Sequence, residues 1–172
     1  KQRLLSYYKA EEFLVFLDSN QAESSSYSCI CGLGAIDLLK CDAGNAFEKL
    51  EQFREKHQDW MFGYLGYDLK NELEPLGSNN LDALDFPDLQ FFAPELVLEI
   101  CEGHIIFHTY EDDLSTIQKL FENIKQQELV HHKQFKKQSS LIPTDSKAEY
   151  LDKAQTFLNH IQRGNIYEAN LC

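Results

Sequence analysis

The sequence predicts an α+β fold: a largely antiparallel β-sheet covered by helices. Three observations predict it. Amphipathic helical stretches lie far apart in the chain, at 46–57, 113–125 and 146–163. Between the first two, PELVLEIC, then Glu102-Gly103, then HIIFHTY reads as a β-hairpin, a local antiparallel pairing. No regular strand–helix alternation of the parallel kind runs through the chain.

In order, Phe13 to Leu17 is a continuous apolar run and predicts a buried strand, closed by Asp18-Ser19-Asn20. Gln21 to Ser26 is a polar loop. Tyr27 to Ile36 predicts a second strand, in which Gly32 and Gly34 suit a bulge or a close backbone approach. That lone G-x-G is no phosphate loop, because the helix expected directly after it is missing. Asp37 to Asn45 reads as a turn-rich connection. Ala46 to His57 is a helix with Phe47, Leu50 and Phe53 inward. Trp60 to Leu69 (WMFGYLGYDL) reads as an aromatic strand broken by Gly63 and Gly66. Leu76 to Gln90 is a loop with turn signals at Gly77-Ser78-Asn79-Asn80 and Phe86-Pro87-Asp88.

After the hairpin, Asp113 to Lys125 predicts a helix with Leu114, Ile117, Leu120, Phe121 and Ile124 inward and Asp112 or Asp113 as cap. Residues 126–143 form the expected linker, polar and locally basic between 126 and 140. Ser146 and Glu149 form a capping box ahead of Tyr150, Leu151, Ala154, Phe157, Leu158 and Ile161, one apolar helical face. Gly164 suits a left-handed C-terminal position. The period then changes to two, predicting a terminal strand with Tyr167, Ala169 and Leu171 on one face and Ile166, Glu168, Asn170 and Cys172 on the other. The expected organisation is thus a domain over 1–125, the linker, and over 144–172 the start of a second domain that continues past Cys172. The expected core includes Phe47, Leu50, Phe53, Trp60, Phe62, Tyr64, Leu96, Leu98, Ile106, Leu120, Phe121, Phe157 and Leu158.

Composition narrows the function classes. The formal net charge is −12, which opposes binding to nucleic acid or to an anionic membrane surface. No apolar run reaches 18 residues, and the N-terminal KQRLLSYYKAEE lacks a signal-peptide core. A cytoplasmic protein is expected. The five cysteines, at 29, 31, 41, 101 and 172, are an odd and irregular set that reads as reduced and structural. A zinc site from Cys29, Cys31, His104 and His108 is conceivable, yet there is no C-x-x-C knuckle, and His104 and His108 read as a polar strand face. Glu72 and Glu74 read as solvated. Glu168 and Asn170, a polar pair between Ile166 and Cys172, are either solvent-facing or the floor of a site.

Three segments together point further. WMFGYLGYDLKNELE at 60–74 resembles the glycine-aromatic segment in the N-terminal part of the chorismate-utilising enzymes, roughly G-Y-[LF]-x-Y-D-L with a Glu shortly after. IQRGNIYEANL at 161–171 is similar to the start of their catalytic domain, and LDSNQAESSSYSCICGLGA at 17–35 to a segment carrying a Ser and then a Tyr-Ser pair. Asp18 and Ser26, where anthranilate synthases carry Glu and Arg, favour the para-aminobenzoate branch, whose members aminate chorismate on the way to folate. Anthranilate synthase component I is the alternative. The resemblance implies magnesium and a glutamine amidotransferase subunit that supplies ammonia. It places the metal, lysine and arginine groups of the reaction downstream of this chain. It implies a possible tryptophan pocket at Ser19, Tyr27 and Ser28, so a regulatory module without chemistry of its own, or a scaffold docking the amidotransferase, are further readings. Glu168 falls where the family often has Gln in ammonia users and Lys in water users, and departs from both.

Overall fold

The computed structural model describes residues 1–20, 22, 27–77, 82, 84–129, 140 and 142–171. It divides into two units, Lys1–Val130 and His131–Cys172. The polar loop expected at 21–26, the Gly77–Asn80 turn, the linker and Cys172 fall largely or wholly outside the described residues.

The first unit holds two antiparallel sheets. Strands β1 (Leu14–Asp18), β2 (Cys29–Leu33), β6 (Leu96–Cys101) and β7 (His104–Thr109) pair in the order β1-β2-β6-β7. Strands β3 (Asp37–Cys41), β4 (Phe62–Leu65) and β5 (Leu89–Ala93) pair as β3-β5-β4. Helices α1 (Gln2–Tyr7), α2 (Ala46–His57), α3 (Lys70–Leu73) and α4 (Leu114–Gln126) complete the unit, with a short 3-10 turn at Tyr67–Leu69.

Side-chain alternation sorts these elements into layers. Cys31 and Leu33 of β2, Leu96 and Leu98 of β6, and Phe107 of β7 face Leu4 of α1 and Leu120 and Ile124 of α4. The opposite face of the same sheet presents Val15, Ile30 and Val97 to Phe62 and Phe92 of the second sheet. Beyond that sheet, Leu39, Leu89 and Phe91 meet Ala46 and Leu50 of α2. The unit is therefore a β-sandwich with a helical layer on each side. Central strands buried on both faces explain the unbroken apolar runs in the sequence.

Gly32 sits where the sheets press closest. A Cβ there would lie 2.5 Å from the Phe62 ring. Gly63 plays the matching part within the second sheet, since a Cβ on it would overlap the Gln90 carbonyl oxygen and Phe91 Cγ. The close approach inferred from these glycines is made by the protein's own backbone and core.

Several expectations need correction. Gly34, at φ 67°, turns the chain out of β2, so the strand expected over 27–36 stops at Leu33. The supposed connection after Asp37 is β3, whose Leu39 and Cys41 pack toward α2. The aromatic strand at 60–69 ends at Leu65, because Gly66 N–H bonds the Asp88 carbonyl and the chain then coils. β5 begins within the supposed loop, and α1 was not foreseen. The hairpin forms as expected, with Gly103 at φ 82°. α2 has the expected bounds, and α4 is capped by Asp113, whose Oδ1 accepts from Ser115 N–H at 2.9 Å.

Of the expected core, Phe53, Phe62, Leu96 and Leu98 are buried, and Leu50, Trp60, Leu120 and Phe121 are half-buried. Phe47, Tyr64 and Ile106 are on the surface. Tyr64 and Ile106 lie on the inner faces of their sheets but past the reach of the facing sheet. Leu114, expected inward, is also exposed, in the first turn of α4.

In the second unit, α5 (Lys147–Gln162) carries the expected capping box. Ser146 Oγ accepts from Glu149 N–H, and the Glu149 carboxylate accepts from Ser146 N–H at 2.8 Å. Gly164 takes φ 75°. Phe157 and Leu158 are exposed, because a single helix has no second layer in its own unit to bury against. The expected terminal strand is absent. Residues 165–171 carry no regular structure, since a strand exists only as part of a ladder and no described segment pairs with this one.

Candidate functional site

Antiparallel pairing of β1 with β2 brings Asp18 opposite Cys29. The next residues outward are Ser19 and Ser28, so two of the predicted ligand residues meet at the end of the ladder. The Ser28 carbonyl accepts from Ser19 N–H at 3.2 Å, Ser19 Oγ at 3.3 Å and Lys1 Nζ at 2.8 Å. Ser28 N–H donates to the Ile100 carbonyl at 2.8 Å, continuing the ladder to β6. Lys1 also meets Asp18 Oδ1 at 2.8 Å, and Asn20 N–H donates to the same carboxylate. The hydrogen bond from Lys1, followed by that from Asn20, holds the Asp18 carboxyl below the ordinary carboxylate range. Tyr27 lies beside this group and is exposed.

Ser19 and Ser28 lie on the sandwich-facing side of their sheet. On the same face, Leu17 is 54% exposed and Ile30 is buried, while Ile106 lies two strands away on β7, beyond Glu99. The facing sheet covers the row Val15–Gly32–Val97 and stops short of this end. The outcome is a small apolar patch at Leu17 next to the two serines, with Glu99 between Ile30 and Ile106 further along the same row. Ser19 spends its hydroxyl proton on Ser28, so toward a ligand its oxygen acts as an acceptor. Lys1, which no sequence motif singled out, joins this group from the N-terminal residue of the chain.

On the same face, His108 Nε2 lies 2.7 Å from Glu99 Oε1, and its ring is 5.8 Å from that of Trp60. His108 is therefore a half-buried paired residue, a correction to the purely solvated face read from the sequence. His104 shares its face and stays exposed, near the Glu102 carbonyl. Cys29, Cys31, Cys41 and Cys101 are free thiols. Burial pushes Cys31 up to about 12 and raises Cys29, so both are inert apolar groups of the core.

Glu72, read as solvated, has a structural task. Asn45 adopts φ 69° and offers α2 no side-chain cap. Glu72 Oε1 takes over, accepting from Gly44 N–H at 2.5 Å and Ala46 N–H at 2.7 Å. Those bonds hold its carboxyl below the usual range. Glu168 and Asn170 are exposed in the irregular segment after Gly164, and neither lies on a strand.

The model of the chorismate binding enzyme family matches residues 7–172. The chain belongs to that family, and the match runs through both units. No curated protein matches it. The family implies a magnesium ion. Among the described residues no group of three or more His, Cys, Asp or Glu side chains could hold a metal. These residues do not fit the ion, and none of the chemistry assigned to them runs through it. No helix among the described residues is long and apolar enough to cross a membrane.

Proposed function

We propose that this chain is the N-terminal part of aminodeoxychorismate synthase component I, which replaces the C4 hydroxyl of chorismate with an amine on the way to para-aminobenzoate and folate. Ammonia would come from a glutamine amidotransferase subunit, and magnesium would be held outside the described residues. The observation that carries the reading is the family match over 7–172, joined to the residues at the β1–β2 ladder end. There Asp18 and Ser19 stand across from Cys29 and Ser28, with Asp18 where an anthranilate synthase has Glu. Free thiols at Cys29, Cys31, Cys41 and Cys101 suit a reducing cytoplasm. The test is to supply a protein carrying this chain and a complete chorismate-binding domain with chorismate, magnesium and ammonium. Chromatography should find 4-amino-4-deoxychorismate. Anthranilate as product would replace this reading with the anthranilate synthase one.

A tryptophan pocket at Ser19, Tyr27 and Ser28 is the second reading. It is supported by the exposed Leu17 on the same face as Ser19, which gives an indole something apolar to cover while Ser19 Oγ accepts from an ammonium. Equilibrium dialysis with labelled tryptophan tests it. Binding should fall on Ser19→Ala, and retention unchanged would remove the site from this position.

A further inference from the structure

At the other end of β6 from Ser28 lies a cleft of about 270 Å³, with Asp59, Trp60, Glu95, His108 and Tyr110 among its walls. That distance is five residues of extended strand or more, on the order of 17 Å. The walls are held in place. The Trp60 indole stacks on Phe62, centroids 6.1 Å apart and planes 12° apart. Asp59 accepts from Trp60 N–H at 2.7 Å and from Tyr110 OH at 3.0 Å. Glu99 holds the His108 ring. Gly34 makes room for Glu95, since a Cβ there would lie 2.8 Å from Glu95 Cδ and 2.9 Å from Oε2.

The charge of the cleft selects its ligand. Asp59 and Glu95 face it and Glu99 stands behind His108, while no Lys or Arg lines it. Neither Asp59 nor Glu95 is in an ion pair among the described residues. Anions, chorismate included, are repelled. A bare metal ion is not suited either, because no three such ligands converge. The aromatic walls favour a cation with an apolar body, attracted by the ring faces as well as the carboxylates. The volume falls near the lower end of small-molecule pockets, so the ligand is compact.

We propose that this cleft binds a small organic ammonium carried on an aromatic or apolar body, between the carboxylates of Asp59 and Glu95 and the face of Trp60. The site is separate from the Ser19–Ser28 ladder end and does not depend on which chorismate reaction the family member performs.

Trp60 is the only tryptophan in the chain, so its emission reports the cleft directly. The 172-residue chain is titrated with benzylammonium, and in parallel with benzyl alcohol and benzoate, at constant ionic strength. Benzylammonium should change the emission saturably and the other two should not. Glu95→Gln should weaken binding by about fivefold or more, the loss of one charge contact, with its thermal midpoint unchanged. No saturable change up to about 10 mM, equal responses to all three probes, or unaltered affinity in Glu95→Gln would each overturn the proposal.

Discussion

Phe62 and Gly32 offer a quantitative test of the sandwich. Phe62 is 6% exposed, with Phe92 and Trp60 rings at 6.0 and 6.1 Å. Its truncation to Ala removes roughly 150 Å² of apolar contact, or about 4 kcal/mol, within the usual range of about 3–5 kcal/mol for such changes. With a urea dependence of about 2 kcal/mol per molar, the midpoint should fall by about 2 M. Gly32→Ala places a methyl 2.5 Å from Phe62 Cδ2 and 2.7 Å from Cε2. The ring has neighbours on both sides and cannot retreat, so this overpacking costs about 1–3 kcal/mol. In the Phe62→Ala background the obstacle is gone and the methyl enters the cavity. There Gly32→Ala should be neutral or restore up to about 1 kcal/mol. The double-mutant cycle should therefore show a favourable coupling of about 1–4 kcal/mol. Trp60 fluorescence follows unfolding of this unit. Additivity within about 0.5 kcal/mol, or a Phe62→Ala shift below about 0.5 M, would refute the packing of Gly32 on Phe62.

Asp37 meets Lys56 Nζ at 2.6 Å and His57 Nε2 at 2.8 Å, and those bonds lower its carboxyl to about 2. Its folded value lies below the unfolded value of about 3.9, so its contribution to stability is present above that value and lost as pH falls through about 2. Urea midpoints taken across this window should decline more steeply for the unsubstituted chain than for Asp37→Asn. Glu72→Ala leaves Gly44 and Ala46 N–H without their acceptor and should lower the thermal midpoint, with Glu72→Gln, which retains an oxygen, falling between. In a protein carrying this chain that performs the amination proposed above, Glu168→Gln should keep that activity, and Glu168→Lys should divert part of the product to isochorismate. Chromatography of the products checks both, and no change in rate, affinity or product from either would place Glu168 outside the site.

Helices α2, α4 and α5 were legible because each pairs an apolar stripe with polar faces, and Asp113, Ser146 and Glu149 mark starts by local hydrogen bonds. The β6–β7 hairpin was legible for a similar reason, since Glu102-Gly103 closes it locally. Strands β3 and β5 were not. Phe91 and Phe92 face opposite layers and both find apolar partners, so no period of two survives in the sequence. The terminal segment shows the reverse: alternation is present over 165–171, but pairing depends on a neighbour that local pattern cannot supply. Ser19 and Ser28 were singled out by their motif, and the structure sets them side by side at the β1–β2 ladder end. The Asp59–Trp60–Glu95–Tyr110 cleft was missed because its walls come from separate segments that only the fold brings together.

The segment that ties this chain most visibly to its family carries a structural load. Gly63 lies against the Gln90 carbonyl, and Gly66 N–H bonds Asp88 at 2.6 Å. Phe62 joins the two sheets, Leu69 is buried with Ala46 and Leu89, and Glu72 caps α2. Lys70 pairs with Asp68 and lies 4.7 Å over the Tyr67 ring, fixing the coil that delivers Glu72. Gly63, Gly66, Leu69 and Glu72 of GYLGYDLKNE are thus accounted for by packing or capping within one unit, while Tyr64, Leu65 and Tyr67 are exposed. Substitutions at Phe62, Gly63, Gly66, Leu69 and Glu72 should therefore act first on folding stability, read as a lowered thermal midpoint.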